Sequence, residues 1–200
     1  MAKFASESPR KLSLSIGSVS AAMTAGLYIH IPFCKSRCSY CDFATDVWRG
    51  EEVVESYVRA LCREIDSFQP IHRKAPFRNG SDLIPTIDTV YFGGGTPSLL
   101  SPKQLETVLK SVRSKFNVDR SAEVTMEMNP ATVTPESLSA FRSLGVNRAS
   151  FGVQTFDDRS LKLLARGHDA NDARATFKML RDTGFANVSF DLIAGLPGQT

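Results

Sequence analysis

Three cysteines fall within one short stretch, Cys34-Lys-Ser-Arg-Cys38-Ser-Tyr-Cys41. Three thiolates on one loop can converge on a single inorganic centre. They are one short of the usual four on a [4Fe–4S] cluster, which would leave one iron open to a small ligand. Zinc is the alternative: His30 lies four residues before Cys34 and would complete a Cys3His set. A disulfide framework does not match, because such frameworks spread cysteines through short secreted chains. Cys62 stands apart, on a helical stripe, and reads as a buried thiol.

A second chemical signal is Gly93-Gly94-Gly95-Thr96-Pro97. Glycines let backbone N–H groups approach a charged ligand closely. The run lacks the Lys-Ser/Thr of a P-loop, and no G-x-G-x-x-G occurs. Glu127, Gln154 and Asp191 sit at or near the ends of apolar runs. Carboxylates so placed can accept from hydroxyls or an ammonium group.

These residues need elements to hold them. Leu27–Ile31 predicts a strand stopped by Pro32. Val53, Val54, Tyr57, Val58, Leu61, Ile65 and Phe68 recur at helical spacing. Residues 70–86 read as an irregular loop. Strands follow at Ile87–Phe92, Ala122–Met128, Arg148–Val153 and Val188–Ile193. Helices open at Ser101-Pro102 and Thr134-Pro135, with others near 157–165 and 170–183 before Gly184. Strands alternating with helices predict a parallel α/β sheet. In an α/β barrel the C-terminal rim carries the site; a doubly wound sheet is the competing arrangement.

The chain has 200 residues, 42% hydrophobic and 22% charged, which fits a globular domain with a sizeable core. No stretch approaches about 18 uninterrupted apolar residues, so no membrane-spanning helix is expected. Of the net charge of +3, residues 1–26 hold Lys3, Arg10 and Lys11 against Glu7. The remainder is nearly balanced and shows no basic stripe, so nucleic acid is a poor partner. Residues 1–26 are serine-rich, basic and acid-poor. Two readings stand for this leader: an organelle transit peptide, mitochondrial or chloroplast, or a disordered tail of a cytoplasmic protein.

Tyr28-Ile29-His30-Ile31-Pro32-Phe33-Cys34-x3-Cys38-x2-Cys41 resembles the opening of the radical S-adenosylmethionine (SAM) enzymes. More narrowly, it is similar to the group that holds the oxygen-independent coproporphyrinogen III oxidases and the HemW-type heme chaperones. The likeness continues through Tyr91–Pro97, Glu127–Pro130, Phe151–Phe156 and Asp191–Thr200, and so covers residues 27–200. It implies a (βα)6 TIM-like barrel of which about five βα units are present, an incomplete core that ends after strand five.

The resemblance also implies cofactors. Cys34, Cys38 and Cys41 would ligate a [4Fe–4S] cluster whose open iron binds SAM, and one-electron reduction would cleave SAM to methionine and a 5′-deoxyadenosyl radical. By the same likeness Tyr40 lies near the adenine, and Gly94, Gly95 and Thr96 line the methionine end. Tyr28, Glu127, Gln154, Arg166 and Asp191 match further cofactor-contacting positions. The oxidases carry a fourth cysteine two residues after the third, where this chain has Phe43. That favours the chaperone branch, with heme or porphyrin, heme-acceptor proteins and an electron donor as partners. The oxidase reading implies radical decarboxylation of propionates to vinyls. A zinc-stabilised binding domain is the third alternative.

Overall fold

The computed structural model describes residues 24–69 and 85–199. The leader up to residue 23, most of the expected 70–86 loop with His72, and Thr200 lie outside the described residues.

Five parallel strands form the main sheet: β1 (Thr24–Ile31), β4 (Thr86–Gly94), β5 (Val118–Met128), β6 (Arg148–Gln154) and β7 (Asn187–Leu192). Two further strands, β2 (Phe33–Cys34) and β3 (Asp46–Val47), pair with each other in parallel. The helices are α1 (Glu51–Ser67), α2 (Pro102–Lys115), α3 (Pro135–Ser143), α4 (Asp158–Leu163) and α5 (Ala170–Asp182), and a 3-10 turn covers Pro97–Leu99.

The main sheet runs in chain order, β1-β4-β5-β6-β7. A doubly wound sheet reverses its order at a switch point, whereas a barrel adds each strand beside the last. The fold is therefore a partial α/β barrel of five strands. Consecutive right-handed crossovers put the helices on one face. α1 packs on α2, α2 on α3, and α3 on α5, as one outer layer.

Strand periodicity then sorts the side chains. Ile29, Ile31, Val90, Phe92, Val124, Met126, Ala149, Phe151 and Val153 are buried in the core shared with the helices. Alternating with them, Tyr28, His30, Tyr91, Glu127, Ser150 and Gly152 occupy the opposite face. Register aligns that polar face in rows: Tyr28↔Tyr91↔Thr125↔Arg148, and Glu127↔Ser150↔Ser189. Arg148 links the two rows, donating to Thr125 Oγ1 (3.2 Å) in its own row and to Ser189 Oγ (3.0 Å) in the other.

Helix starts follow the sequence signals. Ser101 and Gln104 form a reciprocal capping box ahead of Pro102, and Thr134 with Ser137 forms another. Differences lie at strand ends. β1 starts at Thr24, inside the expected leader, and β5 starts at Val118 rather than Ala122. Both extensions use small or polar residues that carry no apolar alternation, and register shifts interrupt both pairings.

Phe141 is fully buried, so Phe141→Ala should cost about 3–5 kcal/mol of stability. Removing the cap with Ser101→Ala should cost about 1 kcal/mol. Urea unfolding followed by circular dichroism measures both; equal losses would contradict this packing.

Candidate functional site

The cysteine loop leaves β1 at Pro32 and is pinned from several directions. Phe33 is buried, edge-on to Tyr57 (centroids 5.3 Å apart) and to Trp48 (6.2 Å). Trp48, to which the sequence assigned no role, is thus part of the loop's anchor. The β2–β3 pair closes the loop, with Asp46 N donating to Pro32 O (2.7 Å) and Trp48 N to Cys34 O (2.8 Å). Ser39 N donates to Leu164 O and Ser39 Oγ to Leu163 O, both at 3.1 Å.

The glycine run meets the same loop. Gly95 N donates to Ile31 O and Thr96 N to Phe33 O, each at 2.8 Å. A Cβ on Gly95 would stand 2.7 Å from Phe33 O, so only glycine allows this approach. Thr96 is buried; its hydroxyl accepts from Asn129 Nδ2 (2.8 Å) and lies 3.9 Å from Cys34 Sγ.

On the polar face Glu127 is held at both oxygens. Tyr91 Oη donates to Oε1 (2.7 Å) and Gly94 N to Oε2 (3.1 Å). Burial, then the carboxylate, pushes the Tyr91 hydroxyl far above its ordinary range, so it stays a donor. Gln154 ends β6 with φ +67°, a left-handed conformation that a non-glycine residue keeps only under local constraint.

Arg166 arrives from the end of α4. The helix closes in a Schellman turn: Arg166 N donates to Leu161 O and Ala165 N to Lys162 O. Ala165 holds the left-handed position with φ +53°. The guanidinium donates from Nη2 to Gly152 O (2.6 Å) and Asn129 Oδ1 (2.7 Å), and from Nη1 to Cys38 Sγ (3.4 Å) and Tyr40 Oη (3.5 Å). Its buried Nε has no partner among the described residues.

Cys34, Cys38, Cys41, Tyr40, Gly94, Gly95, Glu127, Gln154, Arg166 and Asp191 all line one cleft of about 180 Å³. Thr96 lines an adjoining hollow with Cys38 and Arg166. Tyr28 does not line the cleft: its ring stacks on Tyr91, its hydroxyl donates to His30 Nδ1 (3.0 Å), and it is 58% exposed. Asn129, Ser150 and Gly152 also line the cleft, and the sequence assigned no site role to any of them. Asn129 and Gly152 fall inside the matched motifs Glu127–Pro130 and Phe151–Phe156, whereas Ser150 is visible only through register.

The donor set can be tested against the two inorganic centres. His30 Nε2 donates to Ala44 O (2.8 Å) while Nδ1 accepts from Tyr28, so both ring nitrogens are engaged and none is free for zinc. Among the described residues no three Cys, His, Asp or Glu side chains come together around a point fit for one metal ion. A cluster is a larger body and does not need that convergence. The three thiols are free and partly exposed. Burial pushes the Cys34 thiol up, and the nearby Cys41 and Cys38 add to it. Three thiols lining one cleft form a donor set whose chemistry fits an iron–sulfur centre.

A barrel-type sheet with a cysteine loop on its C-terminal rim defines a cofactor-binding α/β core. The pattern of the Radical SAM superfamily matches residues 28–200, and the chain belongs to that superfamily. It is similar to the heme chaperone HemW of Escherichia coli K12, 37% identical over 174 residues, 87% of this chain and 43% of that one. A bovine protein named radical S-adenosyl methionine domain-containing protein 1, mitochondrial, is 41% identical over 175 residues, 88% of this chain and 37% of that one. The solved structure of coproporphyrinogen III oxidase (HemN) from E. coli superposes with a TM-score of 0.74 and 33% identity, covering 90% of this chain and 39% of that one. The chain thus spans about two fifths of the length of these relatives. No described helix is long and apolar enough to cross a membrane.

His168 is buried beside the adjoining hollow and donates from Nε2 to Val153 O (3.3 Å). Burial, then the Arg166 charge, lowers its pKa, against the opposing pull of Val153 O, Asp172 and Asp169. The unfolded chain takes up this proton near the ordinary value of about 6.5 while the folded chain resists it, so stability should fall as pH drops below that value. Urea unfolding between pH 7.5 and 5.5 should show the loss, and His168→Gln should flatten it; an unchanged slope would contradict the assignment.

Proposed function

We propose that this chain is the cofactor-binding part of a HemW-type heme chaperone, built on a radical SAM core. The observation that carries the reading is the single cleft shared by Cys34, Cys38, Cys41 and the Gly94-Gly95 backbone. The three cysteines would hold a [4Fe–4S] cluster, and SAM would lie along the glycine run. When both are bound, the cluster can supply one electron to the sulfonium.

The chain's own groups have separable tasks. Gly95 brings the glycine run against the base of the loop. Glu127, aimed by Tyr91 and Gly94, can accept from an ammonium or ribose hydroxyl. Arg166, bound to Asn129, Gly152 and Cys38, sets a fixed positive charge in the cleft wall. Tyr40, half exposed beside Cys41, offers a ring for a base. The cleft walls orient the ligand and limit water.

Phe43 supports the chaperone branch. It lines the cleft mouth, largely exposed, where the oxidases carry a further cysteine. Heme or porphyrin is then the cargo, with an acceptor protein and an electron donor as partners. A serine-rich, basic leader agrees with an organelle address, as the name of the bovine relative states for that protein. The oxidase reading is the alternative, favoured by the likeness to HemN.

Anaerobic reconstitution tests the core claim. The chain should take up iron and sulfide in equal amounts and turn brown, and Cys38→Ala should abolish this. A colourless, zinc-containing product would refute it. Stoichiometric heme binding without conversion of coproporphyrinogen III supports the chaperone; turnover to protoporphyrinogen selects the oxidase.

A further inference from the structure

We propose that Arg166 sets the reduction potential of the cysteine-loop centre through its hydrogen bond to the Cys38 sulfur. The inference rests on the cluster reading above and adds a redox role to a residue so far linked only to ligand contact.

The geometry fixes one cation on one sulfur. Arg166 Nη1 lies 3.4 Å from Cys38 Sγ, while Nη2 is clamped between Asn129 Oδ1 and Gly152 O. With both oxygens engaged the guanidinium cannot swing away. Its backbone is held equally firmly, by the Schellman turn after α4 and the left-handed Ala165. The three thiols are not equivalent. Cys34 faces the neutral Thr96 hydroxyl at 3.9 Å, and among the described residues only Cys38 has a cationic donor at its sulfur.

A guanidinium stays protonated at every relevant pH and donates without accepting. Reduction adds one electron, and part of that charge reaches the ligand sulfurs. A cationic N–H···S bond therefore stabilises the reduced state more than the oxidised state, one of the levers that set cluster potentials. Taking Arg166 away should make the centre harder to reduce.

The test is a redox titration of the anaerobically reconstituted chain without SAM, followed by electron paramagnetic resonance. A chemical reductant such as dithionite supplies one electron per centre, with no bond made or broken. At the wild-type midpoint, Arg166→Met should show about a tenfold lower ratio of reduced to oxidised centre, a shift of about 59 mV to lower potential for one electron. Arg166→Lys, which keeps the charge but not the fork, should fall between. An unchanged or higher potential in Arg166→Met overturns the inference. So does loss of the centre in both variants, which would make Arg166 a structural latch. A wild-type chain that takes up no cluster overturns the parent reading and this one together; an unshifted midpoint overturns this one alone.

Discussion

A parallel sheet brings the C-terminal end of every strand to the same rim, and the site depends on that constraint. Ile31, Gly94, Met128 and Gln154 end their strands at one rim only because β1, β4, β5 and β6 run in one direction and in chain order. The price is that each strand must return through a helix on the outer face, which the apolar residues at alternate positions satisfy. The other face is free to be polar, and Tyr91, Glu127 and Ser150 use it.

Much of this was legible in the residues. The alternation of β-branched runs with helical stripes gave the α/β class, and Ser101-Pro102 marked a helix start that forms a full capping box. The cysteine spacing and the glycine run marked the cleft, because each needs several residues of fixed type. Single residues were less readable. His168 sits in a polar stretch, yet the turn after α4 folds it inward. Asn129 and Gly152 enter the cleft through register and the Arg166 clamp, which are properties of packing. The β2–β3 pair is two residues long on each side, too short for any periodic signal. Tyr28 is on the expected face, but stacking on Tyr91 turns it away from the cleft.

The site is held together mainly by backbone contacts rather than by ion pairs. Described ion pairs such as Arg49–Asp46 and Lys178–Asp182 are exposed and contribute little. The loop instead uses carbonyl acceptors on β1, on β2 and at the end of α4. Such contacts fix position without adding charge, and they leave Arg37 and Arg166 against Glu127 and Asp191 as the cleft's opposed charges.

The contact between Arg166 and Cys38 spans 128 residues of chain. During synthesis at about 5–20 residues per second, roughly 6–26 s separate the emergence of the two partners. For that interval the three thiols exist without the wall that completes their cleft. Only once α4 has folded are Leu163 O and Leu164 O in place to hold Ser39, and Arg166 in place to reach Cys38. The topology therefore makes completion of the cysteine cleft a step that follows translation of most of the core.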